Sequence, residues 1–409
     1  MKNLMTPGNQ LSAVSARRWR ILAAFALGVL TTPLVAQSSR VYRDGNMWVE
    51  ESTGSLPAGH EFRAQTDIGS LQVRGTASQV TYVVRKRCTA DSEQAARKQF
   101  EQLRVTASKV GDAVVLEGRV LGRNINRLVA DFTVQIPRLT QVVKAETKGG
   151  ALALSSIQGT VFGSTGGGAV ELDDMGGLTK VVSGGGSMQA GSVNSDLYLQ
   201  SGGGMVSVER VTGRLFVRTG GGKVHIGTSG PARIDTGAGN IEVNKCTGEL
   251  WANSGGGSLY FGDVSGDVTA ETGGGSVKLG SAQGYVKVIT GGGSVELWKV
   301  EQGAHVETGT GAITVQFVGG RGQFHESYLH TAQGNVVVYL PRDLGVNVHA
   351  STEMATGSGV KTEFPGLAIN TEGSQYGPKL MFAEGQLNGG GPALRVRTTI
   401  GQIDIRRTQ

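Results

Sequence analysis

One phrase recurs through the middle of this chain: a hydroxyl residue, three glycines, then two apolar residues separated by one of any kind. It reads TGGGAVEL from Thr165, SGGGMVSV from Ser201, TGGGSVKL from Thr272 and TGGGSVEL from Thr290. Strict and weaker copies start at Thr147, Thr165, Ser183, Ser201, Thr219, Thr236, Ser254, Thr272, Thr290 and Thr308. The spacing is eighteen residues, except seventeen between Thr219 and Thr236. A fixed period of this size predicts a solenoid, in which each repeat is one turn and buries its apolar face only against its neighbours.

The columns of the repeat specify the kind of solenoid. With the hydroxyl as place one, places six and eight are apolar, as in Val170 and Leu172 or Val206 and Val208. Place eleven is usually apolar, and so are places fifteen and seventeen, as in Leu215 and Val217. Alternation with period two means short strands with one face inward. The three glycines form one corner, and Gly213, Gly248, Gly266 and Gly284 mark a second. Glycine at this density disfavours helix inside the repeat. The expectation is an all-β, single-chain parallel β-helix with about eighteen residues per turn. At roughly 4.8 Å per turn, ten turns make a rod about 50 Å long.

The chain has 409 residues with 66 glycines and 9 prolines, but the strict period and valine columns oppose disorder and collagen. Its net charge of +6 includes Lys2, Arg17, Arg18 and Arg20, and residues 1–36 hold no acid, so +2 remains without them. That balance gives no support for nucleic-acid binding. Residues 1–36 read as a signal peptide: Arg17-Arg18-Trp19-Arg20 precedes an apolar run from Ile21 to Val35, short for a membrane span of about 20 residues. The sequence thus predicts an exported protein of the periplasm, cell surface or medium, with no membrane span after cleavage. Cys88 and Cys246 have a spacing that fits neither a metal site nor a disulfide framework. Cys246 takes an inward place several turns from Cys88, so no bond is expected between them.

Residues 37–60 read as a loosely structured lead-in, and 61–409 as the β-helix domain. Within it, TDIGSLQV from Thr66 matches a first turn. Residues 85–130 carry a capping insertion. It contains one short helix, with Ala96, Phe100 and Leu103 on one face and a capping box at Asp91 and Gln94. A hairpin around Gly111-Asp112 follows. The helix is expected to cover the open N-terminal end, where a bare strand edge invites aggregation. Residues 147–325 are the regular repeats and 326–409 the C-terminal turns and cap. There TAQGNVVV from Thr331 and TTIGQIDI from Thr398 keep the pattern, while 321–330 and 351–391 read as a small and a larger irregular insertion.

The TGGGxVxL repeats, the VQIPR and VYLPR segments, and the ending QLNGGGPALRVRTTIGQIDI resemble the bacterial "putative adhesin" domain family of unknown function. The resemblance covers roughly residues 60 to 407. It implies a secreted or envelope β-helix, commonly right-handed, and brings no catalytic residues with it.

The triple glycines are not phosphate cradles, because Gly222-Lys223 is followed by Val224 and a strand rather than a hydroxyl and a helix. They predict a tight corner, through positive φ or close stacking, with the place-one hydroxyl bonding corner backbone. Calcium is disfavoured because Asp173, Asp174, Asp263 and Asp267 share no fixed place. No metal or cofactor is expected. Glu171, Glu242, Glu296, His225 and His305 point outward without forming a serine–histidine–acid set, so no catalytic residues are assigned.

One outward column is distinctive. Place sixteen runs Phe162, Lys180, Tyr198, Phe216, Arg233, Trp251, Thr269, Lys287 and His305. Aromatics interleaved with bases suit a sugar ring, an anionic glycan or a protein partner. The same pattern also arises where aromatics simply suit strand faces, or where a loop covers them. The candidate ligand-binding residues are Tyr198, Phe216, Arg233 and Trp251, extended by Lys180 and Lys287. The reading is a non-catalytic binding rod for a surface glycan or protein. A polysaccharide-acting enzyme on the same scaffold and a structural or stress-related envelope scaffold are the other classes. The oligomeric state stays open.

Overall fold

The structure, a computed structural model, describes residues 38–122, 128–319, 323–372 and 380–408. The expected signal peptide at 1–36 lies outside them. The described residues form thirty-four strands, joined in one long and mostly parallel sheet, and one helix. This is the all-β architecture that the alternation predicts. It is consistent with a solenoid.

Strand partners lie one sequence period apart. Leu152 pairs with Val170, Val170 with Met188, and Met188 with Val206. The second column repeats the pattern through Leu197, Leu215 and Ala232. Because side chains alternate along a strand, each apolar place falls in line with its counterparts. Val206, Val208, Leu215 and Val217 are all buried, as the pattern predicts. Burial of each contributes about 1.5–3 kcal/mol. Cys88 and Cys246 are both buried and free.

Thr66–Gly69 turns a corner ahead of the regular repeats, and the stack continues past it, with Glu61–Thr66 parallel to Ala113–Val120 and Ser70–Ala77 parallel to Leu128–Pro137. Leu71 pairs with Leu152, and the Thr147 hydroxyl donates to the Gly69 carbonyl at 3.0 Å. Before it, the lead-in is not loose. Ser38–Asp44 and Met47–Leu56 pair antiparallel, and the second continues onto Val80–Cys88. Val80–Cys88 in turn pairs antiparallel with Leu128–Pro137. The cause is long-range pairing that local composition does not reveal. Glu51 stands between Arg40 and Arg85, each within 2.7 Å, and these cations hold its carboxyl below its ordinary range, with Arg85 the larger influence.

The helix spans Glu93–Phe100 and buries Ala96 and Phe100. Its cap is Ser92, which accepts from the Ala95 amide, rather than the Asp91–Gln94 box. Leu103 belongs to the next strand, Leu103–Val110, which forms the expected hairpin with Ala113–Val120. The helix packs on Met47–Leu56, Val80–Cys88 and Leu103–Val110. The N-terminal end is thus extended by antiparallel strands as well as carrying a helix.

Part of each expected C-terminal insertion lies outside the described residues, at 321–322 and 373–379. Ser327–Gln333 is already a strand, paired with Ala304–Thr310. The 351–391 segment contains the end of the strand Val346–Thr362, followed by the antiparallel pair Ala368–Glu372 and Leu380–Leu387. Ala393–Arg407 runs parallel to Ser327–Gln333 and Val336–Leu340 on one side and to Val346–Thr362 on the other, so the sheet continues past it to the antiparallel pair.

Candidate functional site

The register puts the distinctive column in one row. Phe162 pairs with Lys180, Lys180 with Tyr198, and Tyr198 with Phe216. Phe216 pairs with Arg233, Arg233 with Trp251, Trp251 with Thr269, and Thr269 with Lys287. Their neighbours on either side along each strand are buried. Leu215 and Val217 flank Phe216, and Leu250 and Ala252 flank Trp251. The flanking core residues therefore fix which way the row faces.

Within the row, neighbouring side chains stack. The Tyr198 and Phe216 rings lie 6.1 Å apart and tilted by 34°. The Lys180 ammonium sits 4.8 Å from the Tyr198 ring centre, and the Arg233 guanidinium 3.9 Å from that of Trp251. Such cation–π contacts hold the aromatic planes in place. Lys180, Arg233 and Lys287 are exposed, while Tyr198, Phe216 and Trp251 are half-buried.

Tyr198, Phe216, Arg233 and Trp251 line one open groove of about 530 Å³, with Pro231, Arg214 and Asp267 at its margin. Its electrostatics are mixed. Arg214 forks onto Asp196, at 3.1 Å from Nε and 2.8 Å from Nη2, and holds that carboxyl below its ordinary range. Arg233 is only 3.8 Å from Asp235, a loose pairing that leaves its donors accessible. The groove has aromatic planes, one lightly committed guanidinium and flanking carboxylates. It can pack a ring face and donate to an acceptor.

The row is longer than the sequence reading made it. Lys287 pairs with His305, His305 with Tyr328, and Tyr328 with Arg395. The His305 and Tyr328 rings are 5.3 Å apart. On the other side Phe162 pairs with Lys144, and Lys144 with Arg63. Tyr328 and Arg395 were hidden because residues between Thr308 and Thr331 break the period. A signal did exist: each lies three residues before a corner threonine, Thr331 and Thr398, as Phe162 does before Thr165.

Away from the row, Ser207, His225 and Glu242 stand as consecutive cross-strand partners, but among the described residues no hydrogen bond joins Ser207 to His225. His225 and Glu242 are cross-strand partners at 3.4 Å, and Lys223 reaches the same carboxylate at 2.9 Å and lowers its pKa. Among the described residues no three metal-ligating side chains cluster.

No family model and no curated protein matches the chain. Among solved structures it is similar to a "putative cell adhesion protein" from Clostridium sporogenes, at 9% identity over 88% of this chain and 100% of that one, with a TM-score of 0.19. It is also similar to a "putative adhesin" from Parabacteroides distasonis, at 8% identity over 88% and 97%, with a TM-score of 0.21. A "putative lipid binding protein" from the same organism matches at 8% identity over 90% and 98%, with a TM-score of 0.20. At these scores the overlays transfer no residue or role. The bacterial neighbours are named as adhesins or a cell-adhesion protein, with a lipid-binding protein among them.

Proposed function

We propose that this chain is an exported, non-catalytic binding rod of the bacterial envelope, a right-handed β-helix with eighteen residues per turn. The helix and hairpin at 85–130 would cap one end and 326–409 the other. Its ligand is a surface glycan lying along Tyr198, Phe216, Arg233 and Trp251, with Lys180 and Lys287 extending the contact. One observation carries this reading: two half-buried aromatic surfaces flank an exposed guanidinium in a single open groove. Sugar rings present apolar faces that pack on aromatic planes, and a guanidinium fork suits their carboxylate or sulfate groups. A row held by a regular ladder is preorganised, so little ordering entropy opposes binding.

The test is a glycan array on the chain without residues 1–36, followed by titration of the best binder. Replacing Phe216 and Trp251 together by alanine should abolish the signal and leave the melting temperature nearly unchanged. Unaltered binding would remove the row from the reading. A large loss of stability would identify it as packing surface. A chain silent on every glycan but captured by one envelope protein would turn the reading toward a protein ligand.

A further inference from the structure

The other strand column carries a second groove, near the C-terminal end, that the row does not include. It has a volume of about 790 Å³ and is lined by Trp298, Gln316, Tyr339, Arg342, Glu363 and Arg407, with Arg406 at its edge. Gln316 pairs with Tyr339, and Tyr339 with Arg406, so successive strands build one wall. Trp298 arrives differently. Its strand keeps register with the one before it, Leu279 to Leu297 and Ala282 to Val300, but carries one residue more than the strand after it, so that the register shifts between Leu297 and Val300. A bulge of this kind re-aims a side chain, and bulges gather beside functional sites. Here the indole stands 38% exposed, 6.1 Å from the Tyr339 ring and tilted by 33° to it.

The cations of this groove are unevenly committed. Arg406 is tied to Asp404, which raises its pKa. Arg342 is exposed and forms no ion pair among the described residues. The Arg407 guanidinium lies 5.2 Å from the Phe364 ring centre, and its Nε is buried without a hydrogen-bond partner. A buried donor left unpaired is costly and marks a place for an acceptor. Among the described residues Glu363 is the one lining carboxylate, and it accepts from the Arg407 backbone amide at 2.9 Å. Three arginines against Glu363 and Asp404 leave one net positive charge.

We propose that this groove is a binding site for a uronate-type sugar, a pyranose ring bearing a single carboxylate within an acidic glycan. The Trp298–Tyr339 pair takes the apolar ring face, and Arg342 with Arg407 takes the carboxylate. The single net charge selects one acidic group per site. The Glu363 carboxylate faces the ring hydroxyls and disfavours a second anion. Gln316 supplies an amide to the same hydroxyls. The site lies on a different strand column from Tyr198 and Trp251 and stands independently of that row.

Calorimetric titration of the full chain with tetragalacturonate and with its fully methyl-esterified form tests this. The acid should bind, with affinity falling as salt is raised, and the ester should bind at least about tenfold more weakly. Arg342→Gln should weaken the acid on the order of ten- to a hundredfold. Arg342 is exposed, so this variant keeps the fold even if Trp298→Ala does not. Trp298→Ala should weaken acid and ester alike, and in the Phe216→Ala and Trp251→Ala background, which removes the row's own contribution, the acid should still bind and still lose affinity on Arg342→Gln. No heat at millimolar acid, equal affinity for the ester, or indifference to Arg342→Gln would overturn the proposal. Loss of acid binding in the Phe216 and Trp251 pair would also overturn it, by moving the uronate to the row.

Discussion

At the scale of single residues, the hydroxyl that opens most repeats joins two corners at once. The Thr272 Oγ1 donates to the Gly257 carbonyl of the preceding repeat at 2.8 Å and accepts from the Gly275 amide of its own at 3.2 Å. Thr165, Ser183, Ser254 and Thr290 form the same clip. Thr272→Val keeps the shape and removes both bonds in a buried site. It should cost about 2–4 kcal/mol in chemical denaturation, with Thr272→Ser near wild type. The glycines divide by position. A Cβ on Gly275 would meet the Gly257 carbonyl oxygen at 2.1 Å, whereas one on Gly274 would meet nothing within 4 Å. Thermal melts should therefore show Gly274→Ala unchanged or slightly raised and Gly275→Ala severely lowered. The clip was legible in the sequence, since a hydroxyl beside a glycine corner has few other partners. Which of positive φ and close stacking demands the glycine was not legible. Stacking is the answer at Gly275, because the contact is with the neighbouring repeat.

At the scale of elements, the helix Glu93–Phe100 is held at its far end by a buried lysine. The Lys86 Nζ donates to the Phe100 carbonyl at 3.1 Å and pairs with Glu50 at 2.7 Å. A cation at a helix C-terminus satisfies open carbonyls. Phe100→Ala should cost about 3–5 kcal/mol, read as faster hydrogen exchange in Val80–Cys88 and Met47–Leu56 than in the central repeats. The helix itself was visible in its 3.6-residue period. Its cap was misread because Ser92 and Asp91 are adjacent and both can cap. The strands Ser38–Asp44 and Met47–Leu56 were missed because they have no repeat partner to be compared with. One carboxylate locks the first turns together. Glu61 meets Arg63 at 2.8 Å and Lys144 at 2.8 Å, and these bonds, Arg63 foremost, lower its pKa to about 2. A depressed folded value stabilises above the ordinary 4.5 and is lost as pH falls toward about 2. Melting temperature followed across that window should fall less steeply in Glu61→Gln than in the wild type.

At the scale of the whole molecule, each repeat pairs only with the one before and the one after, so stability is shared between neighbours. Hydrogen exchange should be slowest around Val224–Ile241. It should be fastest at the terminal strands Ser38–Asp44 and Ala368–Glu372, where all five side chains of the latter are exposed. One uniform rate across the chain would show a single cooperative unit instead. The row from Phe162 to His305 was legible because a strict period converts sequence spacing into spatial alignment. The groove at Trp298 was not, because a bulge and a late-returning strand bring its walls together from distant parts of the chain. The shortest repeat has a further consequence. Leu197 pairs with Leu215, but Leu215 pairs with Ala232, and the missing residue falls at the corner Gly230-Pro231. Val206 still pairs with Val224, and Phe216 still meets Arg233, so neither column slips. That corner behaves as an expansion joint in a graduated scale. Length can be edited there without moving the markings, and duplicating one complete repeat would add one graduation to the row. The footprint of a ligand on this protein could then be measured by counting repeats.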